Sequence, residues 1–335
     1  MKESHPRRWL ALMLLLMLLM MILAANIGAM RLTLSQVWRQ PGDSIAWQVW
    51  WTIRLPRVLL AVLVGGALAM SGGIMQGLFR NPLADPGLLG ISGGAALTVA
   101  LSVVFSLTSW FPGTLALWLP TLAAFIGSLA VTLVIFALSR DGSGSLARLL
   151  LVGVAINALC GSAVGVLSWL SSDQQLRQLS LWGMGSLGQA QWSLVLPCAS
   201  LMLPVMLLVQ RLTRRLNLLQ LGEEEAHYLG VDVALTQRQL LVLSALLVAA
   251  SVAVSGIIGF VGLVVPHLMR MCLGGDHRWM LPGSVLAGAM LLLLADTLAR
   301  TLVAPAEMPV GLMTSLIGGP WFLWLILRRP AGEHD

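Results

Sequence analysis

The chain has 335 residues, of which 58% are hydrophobic and only 10% are charged. An ordinary soluble domain carries about 25% charged residues, so the composition excludes a soluble globular enzyme, a disordered chain and a disulfide scaffold. The net charge of +6 comes from 19 arginines and one lysine against 14 acidic residues. The arginines stand singly or in pairs between apolar runs, which indicates orientation in a lipid bilayer and not a basic face for nucleic acid.

The apolar runs predict ten transmembrane helices, because each crossing takes about 20 residues. We expect these helices at 9–30, 54–79, 87–107, 114–138, 146–170, 193–210, 239–258, 260–273, 281–299 and 310–327. The first run follows a basic start and resembles a signal peptide. Its apolar stretch exceeds the roughly 7–15 residues usual for such a signal, so a retained helix explains it better. The sequence therefore predicts one all-α transmembrane domain over 1–335.

The distribution of basic residues predicts how the helices are oriented. With ten crossings both termini lie on one side, and 14 of the 20 basic residues then fall on that side, against six on the other. Basic residues concentrate in cytoplasmic segments, so both termini are expected in the cytoplasm.

The chain lacks the motifs of the common enzyme classes. Gly90-Ile91-Ser92-Gly93-Gly94 fits a nucleophile elbow, but it opens an apolar helix where that motif requires a preceding strand, so we interpret it as helix packing. No phosphate-binding loop occurs in the sequence, so any ATP hydrolysis must come from another chain. Cys160, Cys198 and Cys272 lack metal-ligand spacing and are interpreted as core residues. We therefore expect neither an enzyme nor a metal site.

Two polar features lie on the predicted outer side. Arg54 and Arg57 open the second helix, and Arg300 closes the ninth. They are either membrane anchors whose long side chains reach the interface or a cationic rim for an acidic partner. Arg177 lies in the polar segment 171–192, which is either a plain loop or a short helix lining an outer vestibule.

The largest predicted inner loop spans 212–237 and carries an acidic run. Its notable residues are Glu223, Glu224, Glu225, Ala226, Leu229 and Gly230. A charge run is usually a solvated surface, but this loop is long enough for one or two short helices that could dock a cytoplasmic subunit.

Several motifs together carry a resemblance to a known family. They are Arg54-Leu55-Pro56-Arg57, Asn81-Pro82-Leu83-Ala84-Asp85-Pro86, Leu221-Gly222-Glu223, Gly259-Phe260-Val261-Gly262-Leu263 and Glu307-Met308-Pro309-Val310-Gly311. From about Arg54 to the C-terminus the chain resembles the iron-complex and cobalamin type of ABC importer permease. Within that family it looks most like the bacterial haem permeases.

The resemblance implies a homodimer in the bacterial inner membrane, with two cytoplasmic ABC ATPases and a periplasmic binding protein as partners. It implies that Arg54, Arg57 and Arg300 pair with glutamates of the binding protein. The segment from Glu223 to Gly230 is similar to the element that couples the permease to the ATPase.

The same resemblance implies a cytoplasmic gate. Asn81 and Leu83 match one part of it, and a second part lies near Leu146 and Ala147, where small polar residues would be expected.

The expected function is ATP-driven uptake of haem, which is cargo and not a resident cofactor. Two copies of Arg177 at the mouth of the pathway would meet the two haem propionates. The first alternative is a ferric siderophore or cobalamin as cargo. A second is an ion-coupled transporter, for which Asp296 is the only candidate carboxylate within the membrane.

Overall fold

The computed structural model describes residues 6–28, 37, 42, 44–139, 146–304 and 306–328, and their regular secondary structure is helical throughout. The α-helices are α1 (Pro6–Asn26), α2 (Ile45–Val49), α3 (Leu55–Leu78), α4 (Ile91–Val104), α5 (Thr114–Leu138), α6 (Leu146–Leu170), α7 (Asp173–Gly183), α8 (Trp192–Leu219), α9 (Glu223–Tyr228), α10 (Val233–Ser255), α11 (Val261–Leu273), α12 (His277–Thr301) and α13 (Val310–Arg328). A π-helical turn, Trp50–Arg54, joins α2 to α3, and 3₁₀ turns cover Pro86–Leu89 and Leu107–Trp110.

Seven segments of the described chain are long and apolar enough to cross a bilayer. They are α1, the continuous segment Ile45–Leu78, α5, α6, α8, α10 and α12. Helices α4, α11 and the described apolar part of α13, Val310–Trp324, are apolar but shorter. The chain is thus a multi-pass, all-α membrane protein.

Helices α5 and α6 begin and end where the sequence predicts, but the bounds of several others were wrong. Helix α8 continues to Leu219 instead of ending at 210, and α10 begins at Val233 instead of 239. Arginine, leucine and glutamine favour the helix, so α8 continues past the apolar run. The predicted loop 212–237 is therefore confined to 220–232, and it contains the short helix α9.

The ends of three other helices also differ from the prediction. Helix α12 extends over 277–301 instead of 281–299, because the Asp276 side chain caps its first turn. Helix α4 is shorter than 87–107, because Gly90 adopts a left-handed conformation that starts a new helix. The first helix ends at Asn26 and not at residue 30.

Helix α3 is the centre of the molecule, and most of its residues are buried. It packs against α8, α10, α11 and α12. Glycines allow this, because a Cβ at Gly65 would overlap the backbone of Gly288 in α12, and one at Gly72 would overlap the backbone of Gly262 in α11. Small residues let helices in a membrane approach closely, and van der Waals packing then holds them.

Helix α1 packs along α12, with Met17, Ala24 and Ala25 buried. This contact agrees with a first helix that belongs to the fold. Cys160 and Cys198 are buried as expected, but Cys272 is exposed near the end of α11, so its interpretation as a core residue was wrong.

We predict that Gly72→Val destabilises the protein by about 3 kcal/mol or more, because the new side chain must displace the backbone of Gly262 and not a flexible side chain. Thermal unfolding of the purified protein in detergent measures the effect. The control is Gly165→Ala in α6, where the added Cβ has open space. Equal unfolding temperatures for the two variants would contradict the role given to Gly72.

Candidate functional site

The polar groups that the sequence singles out lie at the two ends of α3. Helices α3 and α12 are antiparallel, since Arg57 at the start of α3 meets Asp296 near the end of α12, and Gly77 lies against His277. One end therefore carries the three arginines predicted to dock a partner. The other carries the turn that begins at Asn81.

Arg57 is buried between two carboxylates. Its Nε and Nη2 donate to Asp296 at 3.0–3.1 Å, and its Nη1 donates to Glu307 at 3.0 Å. The Asp296 side chain is 1% exposed and that of Glu307 is 52% exposed. A charge inside a protein is tolerated only when it is paired and hydrogen-bonded. These ion pairs therefore hold together α3, α12 and the segment before α13.

The other two arginines hold the end of α1. Arg300 donates to the Ala24 carbonyl oxygen, and its Nε lies 3.8 Å from Asp296. Arg54 donates to the carbonyl oxygens of Ala25 and Asn26 at 3.2 and 2.8 Å. The last carbonyls of a helix lack partners within it and attract cations, which explains the contacts.

All three arginines are thus buried, with exposures of 4–7%. Neither sequence interpretation, membrane anchors or a cationic rim for an acidic partner, anticipated this burial, and the docking role of the three arginines stays a prediction. The reason for the burial is that Asp296, Glu307 and the α1 carbonyls supply partners inside the chain. The sequence signal for one pairing was Asp296 four residues before Arg300, which places both on one face of α12.

We predict that Asp296→Asn lowers the free energy of unfolding by about 3–5 kcal/mol, because it leaves two buried guanidinium groups with less compensating charge. Glu307→Gln is the matched control and is expected to cost about 0–1 kcal/mol, because its carboxylate is half exposed. Chemical denaturation in detergent measures both. If the Asp296→Asn variant is as stable as the Glu307→Gln variant, the buried ion pairs do not hold α3 and α12 together.

A half-open cavity of about 590 Å³ lies between α3, α4, α6 and α10. Its lining is mainly small and apolar, and its polar side chains are Asp85, Ser92 and Asn157. Asn157 is exposed near the middle of α6. Gly93 and Gly161 also line the cavity and leave it wider, because they have no side chains. Such a lining offers a bulky ligand weak contacts spread over a wide surface, which suits passage better than retention.

No motif in the sequence marks this lining as a site. The available signal was an amide, Asn157, near the centre of a long apolar helix, where a polar group usually faces protein or a water-filled space. Asp85 caps the 3₁₀ turn and accepts the Gly87 N–H at 2.6 Å.

The predicted gate residues lie at the opposite end of α3 from Arg57. The Asn81 side chain accepts the Leu83 N–H at 2.9 Å, which shapes the turn after α3 and leaves Leu83 exposed. Leu146 and Ala147 begin α6, which packs against the 3₁₀ turn Pro86–Leu89. The gating role of these four residues stays a prediction.

The segment 171–192 contains a helix, so the plain-loop alternative was wrong. Ser172 and Gln175 form a capping box at the start of α7. The Gln175 amide also donates to the carbonyl oxygens of Val103 and Val104 at 3.0 and 3.2 Å, which fixes α7 against the end of α4. Arg177 is exposed on α7, and its contact with cargo stays a prediction.

Helix α9 presents a surface to solvent. Ala226 is buried beneath it, whereas Glu223, Glu224, Glu225 and Gly230 are exposed, as are Leu221, Tyr228 at 86% and Leu229. Exposed apolar side chains grouped in this way are typical of contact surfaces, and the ATPase-coupling role of this segment stays a prediction.

Hydrogen bonds tie the α9 region to its neighbours. The Gln237 side chain donates to Glu223 at 2.9 Å. The Gln220 side chain donates to the Gly77 carbonyl oxygen at 2.7 Å, so the segment before α9 is attached to the last turn of α3.

A second set of bonds joins α8 and α12 at this end. Asn217 donates to Asp276 at 2.6 Å and accepts the His277 N–H at 2.9 Å. Hydrogen bonds from Arg278 lower the pKa of Asp276 to about 2, so its carboxylate stays charged at neutral pH. The helix ends around α9 are therefore bound into one unit.

Comparisons with known proteins agree on one family. The model of the FecCD transport family matches residues 14–328. The hemin transport system permease protein HmuU of Yersinia pestis is 63% identical over 324 residues, which is 97% of this chain and 96% of that protein. The vitamin B12 import system permease protein BtuC of Shigella boydii serotype 18 is 41% identical over 96% of this chain and 95% of its own length.

Among solved structures, one described as a metal-chelate type ABC transporter in an inward-facing conformation matches with a TM-score of 0.87. The two chains are 34% identical, and the match covers 96% of this chain and 100% of the chain in the solved structure. PsaBC from Streptococcus pneumoniae matches with a TM-score of 0.54 at 18% identity over 82% of this chain and 92% of its own, which supports the fold alone.

Proposed function

This chain belongs to the FecCD transport family, and from that premise we propose that it is the permease through which an ATP-driven importer carries haem into the cytoplasm. The observation that supports haem as the cargo is the 63% identity to HmuU over nearly the whole of both chains. The identity to BtuC is 41%. The small, mainly apolar lining of the cavity between α3 and α6 suits a large, flat and partly apolar ligand.

A ferric siderophore or cobalamin is the second candidate cargo, because the BtuC relatives are named for vitamin B12 import. Ion-coupled transport is less favoured. Asp296, its only candidate carboxylate, already pairs with Arg57 and lies 3.8 Å from Arg300, so it is not available to bind and release a cation.

Ten crossings remain the topology that we propose, with both termini in the cytoplasm of a bacterium and the chain in its inner membrane. Helices α4 and α11 have 14 and 13 residues, so each spans about 20 Å of a hydrocarbon core about 30 Å thick. The irregular segments 81–90 and 256–260 precede them and would complete the crossings, which a bilayer tolerates where protein covers the backbone. The whole chain then forms one permease domain.

The proposed assembly is a homodimer with two separate ABC ATPases and a periplasmic binding protein. The chain carries no phosphate-binding loop, so the ATPases supply the nucleotide chemistry. They would hold α9 through its exposed acidic and apolar side chains. The binding protein would approach the opposite end, where a partner carboxylate can reach Arg57 only if Glu307 releases it.

The bonded path from α9 to α3 supports a mechanism. A movement of α9 that is driven by ATP would pull on Gln220 and hence on the last turn of α3, which leads directly into the turn of Asn81 and Leu83. That movement would open this gate while the outer end closes. Cargo would pass because no contact along the path is tight.

We predict ATP-dependent haem uptake by proteoliposomes that contain the permease, its ATPase and its binding protein. Excess haem should compete with labelled haem, and cobalamin and a ferric siderophore should not.

In the same assay Arg177→Ala should slow uptake at limiting haem with basal ATPase activity unchanged. Arg177→Lys should restore part of the rate, because lysine keeps the charge but loses the two-pronged geometry.

Gln178→Ala is the control for Arg177, because it lies next to it on the exposed part of α7. Transport of cobalamin or siderophore in preference to haem would overturn the cargo assignment. An Arg177→Ala variant with the wild-type rate would remove Arg177 from the path without affecting the assignment of cargo.

We predict that the double variant Tyr228→Asp, Leu229→Asp weakens ATPase association by about tenfold or more, because exposed apolar anchors dominate protein interfaces. Co-purification and stimulated ATPase activity measure this. Gly275→Asp is the control, since it adds charge at an exposed site before α12 with open space around it. Normal coupling in the double variant would show that α9 is not the ATPase contact.

A further inference from the structure

A second cavity, of about 540 Å³, lies on the outside of the helix bundle between α8 and α10. Three arginines line it: Arg211 and Arg215 from α8, and Arg238 from α10. It belongs to neither the candidate pathway nor the surface of α9, although it lies at the ends of the two helices that flank α9.

The cavity has a charged rim and an apolar interior. Leu208 lies three residues before Arg211 in α8, and Val242 lies four residues after Arg238 in α10. Both side chains line the cavity and are partly exposed. Since a helix rises about 1.5 Å per residue, the Cα atoms of these apolar residues lie roughly 4.5–6 Å farther along the helices, toward the bilayer centre, than those of the arginines.

The charge of this rim is not compensated by the described residues. No acidic side chain lines the cavity, and within the described ranges none of the three arginines takes part in an ion pair. In contrast, Arg57 and Arg278 are both paired with carboxylates of this chain.

A fourth polar group of the lining also lacks a partner. The Gln239 side-chain oxygen is buried, and no hydrogen bond to it occurs within the described residues. A buried acceptor without a donor costs free energy. Since Gln239 lines the cavity, a change of its side-chain rotamer would bring this oxygen to a ligand hydroxyl there.

We propose that this cavity binds one anionic phospholipid whose headgroup carries a hydroxyl, as phosphatidylglycerol does. The phosphate would lie among Arg211, Arg215 and Arg238, because guanidinium and phosphate form charge-assisted, paired hydrogen bonds. The headgroup hydroxyl donates to the Gln239 side chain. An acyl chain follows Leu208 and Val242 toward the bilayer centre, as in basic pockets between transmembrane helices.

The test uses the full-length chain, purified in detergent and stripped of lipid. Phosphatidylglycerol is added, with phosphatidylcholine as the zwitterionic comparison, and binding is measured by native mass spectrometry and by the shift in unfolding temperature. The variant is the triple change Arg211→Gln, Arg215→Gln, Arg238→Gln. Its control is Arg214→Gln, which removes an exposed arginine of α8 that does not line the cavity.

Phosphatidylglycerol should bind and stabilise the wild type and the Arg214→Gln control, and phosphatidylcholine should not. Each lining arginine is expected to contribute about fivefold in affinity, so the triple variant should bind phosphatidylglycerol about 100-fold more weakly. The single change Gln239→Leu should reduce the preference for phosphatidylglycerol over phosphatidic acid, which lacks the headgroup hydroxyls.

Three results would overturn the proposal. The first is a triple variant that retains phosphatidylglycerol as well as the control does. The second is glycerol phosphate stabilising the protein as strongly as the lipid at equal concentration, which would mean a site for a soluble anion. The third is unchanged lipid binding with lost ATPase association in the triple variant, which would make the cavity a protein-docking surface.

Discussion

A buried positive charge determines how one end of this protein is built. Arg57 starts the most buried helix of the molecule, and it is stable there only because Asp296 and Glu307 approach it from different segments. Arg300 shares Asp296 and, with Arg54, binds the last carbonyls of α1. The positions of α1, α3, α12 and the segment before α13 are thus linked by one set of charges, since each would otherwise leave a polar group unpaired.

Helix α3 connects this end to the other. Its middle cannot move freely against α11 and α12, because glycines bring their backbones into contact. Its last turn is held by side-chain hydrogen bonds, because Gln220 donates to the Gly77 carbonyl oxygen and Gln76 donates to that of Leu263 in α11. This turn leads into the turn of Asn81. A rigid helix whose last turn is bonded to the segment before α9 is suited to pass a displacement to a gate, which is the role proposed for this family member.

Three parts of the described surface differ in their side-chain chemistry, and each suits a different kind of contact. Helix α9 offers carboxylates beside exposed apolar groups, which suits a protein. The cavity of Asn157 offers small walls and few polar groups, which suits a ligand in transit. The cavity between α8 and α10 offers unpaired arginines above an apolar interior, which suits a lipid. Because no residue belongs to more than one of the three, substitutions can separate their functions.

The sequence by itself determined that the chain is an all-α membrane protein and where α5 and α6 begin and end. It also singled out the acidic segment near Glu223, where the structure has the short helix α9. Apolar length and helix-breaking residues are local properties, so no tertiary information was needed. The family resemblance likewise depended on contiguous motifs such as Arg54-Leu55-Pro56-Arg57.

Only the tertiary structure decided whether those arginines are exposed. Asp296 and Glu307 lie about 240–250 positions away from Arg57 along the chain, and periodicity carries no information on pairing across that separation. The same holds for the cavity of Asn157 and for the arginine-lined cavity, whose walls come from helices far apart in sequence or separated by a turn. Burial, pairing and concavity are properties of surfaces in contact, and those surfaces exist only once the helices have packed.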